Sequence, residues 1–446
     1  MIRSGLSVGR STTESSLNDQ LRRFKPLALE DKEDKPILDL APKAPTSYNP
    51  ARETLQQKCI NVLVANFAER PIKEAIPPQQ MAEITSQLPV LIPPIVGARY
   101  IFNENYWKRC CIERYGWQNC NLDEHGLLWK QMYFEKLLQE KLEDFDPLTE
   151  EIEEIYDLID ACGDYIFTVK FNQLPSHMDL CDICALLPNL STLRALYGVN
   201  KIGMNYERML FGLKISDATS LAKCFDRTET LTTLVLSGNM IDDDLLRMLM
   251  TGLIKNNTIT HIDVSHNKIT NHGARLLSKL LGDNSVITTL DLSDNSIQTE
   301  GGRYLARGLR ENDSLLTLNL RLNRLTDDGC RLLFEGLQDN LSLTELNVSS
   351  NGAGDQSAQA LFSIIRDPEH RLASLDISGN DFKAEHFELL RLSMAHNQTL
   401  IGLDLRYNPG YGEAAKAVAE IEKMVHTNEF HVRGKPSGVE KMIGNR

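Results

Sequence analysis

Few residues of this chain have the type and spacing for chemistry. Cys181-Asp-Ile-Cys184 sets two thiols at the separation of a metal knuckle. No second pair stands at zinc-ribbon distance. Leu180, Ile183, Leu186 and Leu187 around it read as a buried helix, so both thiols are expected in a core. Cys110 and Cys111 are sequence neighbours in an aromatic segment; adjacent cysteines rarely pair with each other, and packing is again expected. His261, His266 and His272 lie close in sequence, but His261 falls on a strand face and His272 opens a helix, so they do not converge on an ion. His125 and His177 have no carboxylate, Ser or Cys partner in view. Gly5 to Ser11 reads Gly-x-x-x-Gly-Arg-Ser, without the spacing, the Lys or the preceding strand of a phosphate loop. No nucleophile–base constellation emerges, and the expectation is a chain with no enzyme activity, cofactor or metal. The sequon Asn340-Leu-Ser342 is read as carrying no meaning.

The elements that would position these residues divide the chain unequally. Its 446 residues carry 48 Lys+Arg against 61 Asp+Glu, a net charge of −13, and are 42% hydrophobic. That supplies a core and argues against a dedicated nucleic-acid or anionic-membrane binder, both of which reward clustered Lys/Arg. No uninterrupted apolar run reaches about 18 residues, so no membrane helix is expected. Met1 to Arg10 lacks the apolar stretch of a secretory signal, so the nine cysteines read as reduced cytosolic thiols. Eleven of the 17 prolines precede residue 95. Residues 1–50, with Glu30 to Pro36 as their most charged stretch, have no hydrophobic period and are expected as a disordered arm, or one that docks on a partner. Residues 51–162 read as a helical domain. Leu55, Cys59, Val62, Leu63 and Phe67 recur at helical steps until Pro71, and an aromatic block holds Trp107, Trp117 and Trp129, all three expected inside. Glu140 to Asp160 has ten acidic residues and one Lys, with Ile152, Ile155, Leu158 and Ile159 on one face. It reads as a solvated acidic helix, or as a dock for a basic segment.

Self-similarity dominates the remainder. Leu231 to Asn239 aligns with Ile259 to Asn267, Ile287 to Asn295, Leu315 to Asn323, Leu343 to Asn351, Leu372 to Asn380 and Leu400 to Asn408. Each block fits L-x-x-L-x-L-x-x-N, and Asn239, Asn267, Asn295, Asn323, Asn351, Asn380 and Asn408 step by 28 or 29 residues. These are leucine-rich repeats. The alternating leucines mark a strand, and each Asn amide is expected to satisfy backbone groups of its own turn and of the next coil's. A helix follows, as in Asp327 to Leu337, with Asp or Thr as its cap and Leu332, Leu333 and Leu337 as its buried stripe. The fold expected is an α/β solenoid of the ribonuclease-inhibitor-like type, a horseshoe with strands concave and helices convex, preceded by an all-α cap. It spans 163–427, with a tail at 428–446. Leu190, Leu193 and Leu196 begin a weaker copy, and Val169 and Phe171 an earlier strand. Gly203 to Leu213, with Tyr206, Met209, Leu210 and Phe211, is an insertion that packs as a lid or presents an anchor.

Residues between the inward leucines face the concave side. The central column reads Val235, Asp263, Asp291, Asn319, Asn347, Asp376 and Asp404; beside it lie Ser237, Ser265, Ser293, Arg321, Ser349, Ser378 and Arg406. Two readings are open: a protein-binding trough for a basic or amide-rich segment, or aspartates that support neighbouring turns. An extended repeated surface without a closed pocket favours protein binding over catalysis.

Tyr106-Trp-Lys-Arg-Cys-Cys111, then Trp117, then Leu127-Leu-Trp-Lys-Gln-Met-Tyr-Phe-Glu135, the acidic stretch and the repeats together resemble the leucine-rich-repeat subunit of the nexin–dynein regulatory complex, the t-complex-associated testis-expressed family. The resemblance covers roughly residues 51–427. It implies a non-catalytic scaffold of the motile axoneme, helping to link doublet microtubules and regulate dynein. It implies other subunits of that complex as partners, with dynein or doublet-associated proteins as further candidates, and cytoplasm, cytoskeleton and cilium or flagellum as location. Two other likenesses are weaker. Gln87 to Leu91 with the downstream tryptophans is similar to a degenerate F-box of a cullin ligase receptor, although Pro93-Pro94 would break the helix it needs. The repeat length is similar to that of the Ran GTPase activator, but the tail after Asn428 holds four basic and two acidic residues where that family is strongly acidic.

Overall fold

Nine short strands hydrogen-bond side by side in sequence order, every pair parallel. The computed structural model describes residues 54–72, 76–146, 151–174, 178–199, 207, 210–282 and 285–433. The expected arm, the tail beyond residue 433, His177, Tyr206 and Met209 lie outside them. Residues 59–446 form one unit; of the other, 1–58, only 54–58 are described.

The first helices are α1 (Leu55–Asn66), α2 (Pro78–Gln87), α3 (Pro94–Tyr100), α4 (Glu104–Tyr115), α5 (Trp129–Glu143) and α6 (Glu153–Cys162). Coils then alternate β1 (Thr168–Leu174), α7 (Leu180–Ala185), β2 (Thr192–Tyr197), α8 (Ile215–Arg227), β3 (Thr233–Val235), α9 (Asp243–Leu253), β4 (His261–Asp263), α10 (Asn271–Leu280) and β5 (Thr289–Asp291). They continue with α11 (Thr299–Glu311), β6 (Thr317–Asn319), α12 (Thr326–Leu337), β7 (Glu345–Asn347), α13 (Asp355–Arg366), β8 (Ser374–Asp376), α14 (Ala384–Met394), β9 (Gly402–Asp404), α15 (Gly410–Glu413) and α16 (Ala415–Arg433). The chain is therefore a leucine-rich-repeat solenoid, and the two degenerate copies are its strands β1 and β2.

Each strand is three residues long in the regular coils, with its middle residue inward. Leu234, Ile262, Leu290, Leu318, Leu346 and Leu375 are buried at that position, and Leu236 to Ile377 repeat the burial two residues on. Each fully buried side chain of this size removes apolar surface worth on the order of 2 kcal/mol. Helices close the other side. Gly252 of α9 lies so near α8 that a Cβ there would meet the Ala222 carbonyl oxygen at 2.0 Å, so the two helices touch through backbone.

Buried asparagines hold successive coils together, but toward the preceding coil rather than the next. Asn267 Oδ1 accepts from Asn239 N and Ile241 N, and its Nδ2 donates to Leu236 O of the preceding coil and to Val264 O and Ser265 O of its own. Asn239, Asn295, Asn323, Asn351, Asn380 and Asn408 repeat the pattern in part or whole. The residue before each Asn is left-handed: Gly238, His266, Asp294, Leu322, Ser350, Gly379 and Tyr407 have φ between 50° and 75°. That turn aims its N–H at the next coil, as from His266 N to Ser293 O at 2.9 Å.

A second ladder, invisible to the leucine pattern, lies where helices return to strands. Asn256, Asn312, Asn340 and Asn397 each donate from Nδ2 to a carbonyl of the preceding coil and accept at Oδ1 from N–H groups two and three residues ahead. The sequon Asn340-Leu-Ser342 thus has a structural meaning: its amide is buried and fully used. His370 takes the Asn place, with Nε2 donating to Leu337 O at 3.1 Å and Nδ1 accepting from Leu372 N. Burial lowers its pKa. The folded chain then resists a proton that an unfolded chain accepts below about pH 6.5, so this stability is present above that pH and lost as pH falls. His370→Asn should match wild type at pH 7.5 and exceed it increasingly below pH 6.5 in urea titrations; parallel pH profiles would refute the assignment.

Helix capping also crosses coils. Asp327 was expected to cap α12, yet its carboxylate accepts from Gly354 N, Gln356 N and Ser357 N at the start of α13. Asp243 serves α10 likewise. Asp243 and Asp327, in the first turns of α9 and α12, thus reach along the array to the next helix. In α12 the buried stripe uses Phe334 with Leu333 and Leu337, while Leu332 is half-buried.

The aromatic block packs as expected in part. Trp107 is buried against Tyr133 and Phe134, with Nε1 bonded to Ile101 O at 3.0 Å. Trp117 is not in the core: it is 61% exposed, because Gly116 (φ 76°) ends α4 and turns it outward. It meets half-buried Trp129 at 6.1 Å, with Lys108 Nζ 5.5 Å from its ring. Lys130 is buried, donating to Ala98 O at 2.8 Å beneath Tyr165, and burial brings its pKa down to about 8. The acidic stretch is not one helix. It comprises the end of α5 and most of α6, on either side of 147–150, which are outside the described residues; Ile155, Leu158 and Ile159 are buried on α6.

Candidate protein-binding face

The sheet register aligns the polar columns. Val235, Asp263, Asp291, Asn319, Asn347, Asp376 and Asp404 are consecutive partners across β3 to β9. Lys170 and Arg194 extend this column across β1 and β2, which sequence reading stopped short of. The signal was there, since both stand one residue after an inward apolar residue, Val169 and Leu193.

The turn-supporting reading of the aspartates describes part of what is seen. One oxygen of each serves its own turn: Asp263, Asp291, Asp376 and Asp404 accept from Ser265 N, Ser293 N, Ser378 N and Arg406 N at 2.8–3.0 Å. Asn319 and Asn347 do the same for Arg321 and Ser349. The second oxygen differs from coil to coil. Asp291 Oδ2 accepts from Asn319 Nδ2 at 2.8 Å and Asp376 Oδ2 from Asn347 Nδ2 at 2.9 Å. Asp404 is forked by Arg406, which holds its carboxyl below the usual carboxylate range. Among the described residues no hydrogen bond or ion pair engages Asp263 Oδ2. Arg321 has no carboxylate partner there either. The face is thus unequal: Asp263, Asp291 and Asp376 have no cationic partner among the described residues, while Asp404 and Arg406 pair.

The other chemistry-bearing residues are engaged elsewhere. Cys181 and Cys184 are buried on α7, and Cys184 shares a hydrogen bond with Cys224 of α8. Burial pushes the Cys110 thiol up, and Cys111 likewise, so both stay neutral. His125, expected alone, pairs with Glu135. His266 pairs with Asp294 at 2.7 Å. Among the described residues one group has metal-ligand spacing, Asp355, Glu385 and His386. His386 Nδ1 accepts from Lys383 N, so Nε2 keeps its proton, and Lys383 Nζ sits 2.6 Å from Asp355. An ammonium already occupies the cation's place.

Similarity to known proteins follows the same lines. A family model described as Leucine Rich repeat matches residues 255–278, 283–306, 311–334 and 339–362. A protein of Chlamydomonas reinhardtii named dynein regulatory complex subunit 5 is 39% identical over 206 residues, 46% of this chain and 51% of that protein. Those of Mus musculus and Homo sapiens with the same name are each 32% identical over 228 residues, 45% of either chain. The chain therefore spans about half the length of the curated relatives it matches. Among solved structures, an internalin of Listeria monocytogenes is 17% identical with a TM-score of 0.37, covering 61% of this chain and 69% of that one. The actin-binding site 2 of leiomodin-1 is 15% identical with a TM-score of 0.25, covering 50% and 95%.

Proposed function

We propose, from the premise that this chain is a leucine-rich-repeat relative of dynein regulatory complex subunit 5, that it works in dynein regulation in cilia and flagella as a non-catalytic scaffold. It sits on the axoneme and holds other subunits of that complex. The observation that carries the reading is the concave face, an in-register polar column in which Asp263 and Asp291 have no cationic partner among the described residues. The domain arrangement belongs to the same proposal. Helices of 51–162 close the first edge of the sheet, 163–427 present the face, and no pocket of catalytic character is needed.

The bound segment is basic where it crosses Asp263 and Asp291. Tagged protein expressed in a ciliated cell should co-fractionate with detergent-extracted axonemes. Asp263→Lys with Asp291→Lys should cut that association about tenfold or more, whereas Asp404→Lys should matter less, because Arg406 already neutralises it. Undiminished association in the double variant would discard the trough as contact surface. A wild-type protein washed out with the soluble fraction would discard the axonemal reading.

A further inference from the structure

The concave column changes sign along its length. Lys170 and Arg194 stand on β1 and β2, Val235 on β3, then Asp263 and Asp291 on β4 and β5. Lys170 leans toward Glu124 at 3.8 Å, but Arg194 is exposed and has no carboxylate partner among the described residues. Between the charges lies an apolar step. Val235 is half-buried, and Leu196, 37% exposed, lies beside Gly238 in the next coil. Four adjacent coils thus present cation, apolar, anion and anion in that order.

We propose that this stretch seats one α-helix of a partner chain, with a carboxylate over Arg194, an aliphatic side chain over Val235 and Leu196, and Lys or Arg over Asp263 and Asp291. The proposal rests on the trough being the contact surface and adds the partner's shape and charge order. Shape follows from spacing. Strands stand about 4.8 Å apart, and helix residues sharing one face recur every three or four positions, a rise of about 5.3 Å. The mismatch is about half an ångström per coil, which side chains absorb. An extended segment repeats a face every two residues, about 6.6 Å, and runs out of register by a full strand after three coils. A helix with Glu at i, Leu at i+3 or i+4 and Lys at i+7 and i+11 therefore matches β2 to β5. Charge order then fixes its position along the trough, because a one-coil slip sets Leu over Arg194 or Asp263 and a two-coil slip sets Lys against Arg194 or Glu against Asp263.

The test uses the full chain and three labelled helical peptides. The first carries the order Glu, Leu, Lys, Lys at those positions; the second has the same composition ordered Lys, Leu, Glu, Lys; the third has Lys replacing the Glu. By fluorescence anisotropy at about 0.15 M salt, the first should bind about tenfold more tightly than either other. Arg194→Glu should remove that advantage and make the all-basic peptide the tightest; Arg194→Gln should bring the first and third peptides together. Arg194 is exposed, so both variants should melt as wild type does. Equal affinity for the two orders, an unchanged ranking in Arg194→Glu, or no binding of the first peptide up to about millimolar concentration would overturn the proposal. Failure here alongside lost axonemal association in the Asp263 and Asp291 double variant condemns only the helix and its charge order. Retained association in that variant condemns the trough itself.

Discussion

Replacing Asn267 with Ala should cost roughly 3–5 kcal/mol of unfolding free energy. The amide is buried at 8% exposure and is used at both ends. Its Oδ1 accepts from Asn239 N at 3.0 Å and Ile241 N at 2.9 Å, and its Nδ2 donates to Leu236 O, Val264 O and Ser265 O. Alanine leaves two buried N–H groups unpaired, and each costs about 1–3 kcal/mol where water does not reach. Asn267→Asp should be at least as harmful, since it keeps the acceptor but sets a carboxylate oxygen against three carbonyls. In an array each coil leans mainly on its neighbours, so the damage should be local in the first instance. Amide exchange should rise at Asn239, Ile241 and the flanking coils before it rises in β8 and β9. Urea unfolding with Ser265→Ala as the mild comparison reads the energy. A loss below about 1 kcal/mol would mean that water or rearranged backbone replaces the amide.

The solenoid was legible because burial itself is periodic: an inward Leu every second residue of a strand and one Asn per 28 residues leave a signal in residue type. What the sequence concealed depends on direction rather than on type. Asn267 could serve the coil before it or the coil after it, and only backbone geometry picks the former. Asp327 could cap its own helix, but the N–H groups of Gly354, Gln356 and Ser357 in the next coil lie within reach and win. The second ladder was hidden because its members differ: Asn312, Asn340 and Asn397 share N-x-[ST] spacing, whereas His370 does the same work with an imidazole in place of the amide. Trp117 misled because a large aromatic ordinarily seeks the core, and here a left-handed glycine turns it out. On the candidate face, the column's residues were legible and its charge balance was not. Whether an Asp is free or already answered, as Asp404 is by Arg406, is a fact about neighbours in space.

Glu135→Ala should be the second large loss, about 3–5 kcal/mol, and it should loosen one place: the join between the first helices and the sheet. A parallel sheet that starts at β1 exposes a row of unpaired N–H groups on that strand's outer side. Here α5 covers it. Glu135 Oε1 accepts from Phe167 N at 2.9 Å and Thr168 N at 2.8 Å, and two turns on Glu143 Oε1 accepts from Asn172 N at 2.6 Å. Glu135 is itself buried, and Gln131 Nε2 and His125 Nδ1 complete its shell. Removing the carboxylate strands two part-buried backbone donors and the imidazole at once. Glu135→Gln should be much milder, because the amide oxygen can still accept from both N–H groups while its NH₂ donates to a re-tautomerised His125. The discriminating measurement is amide exchange at Phe167 and Thr168, faster in Glu135→Ala than in Glu135→Gln, with β5 to β7 unchanged. Uniform acceleration over the whole sheet would instead make Glu135 a global stabiliser. If the helices and the concave face act as one rigid scaffold, Glu135→Ala should also weaken axonemal association without touching a trough residue. An intact association in that variant would show that the face binds independently of the helices that close its edge.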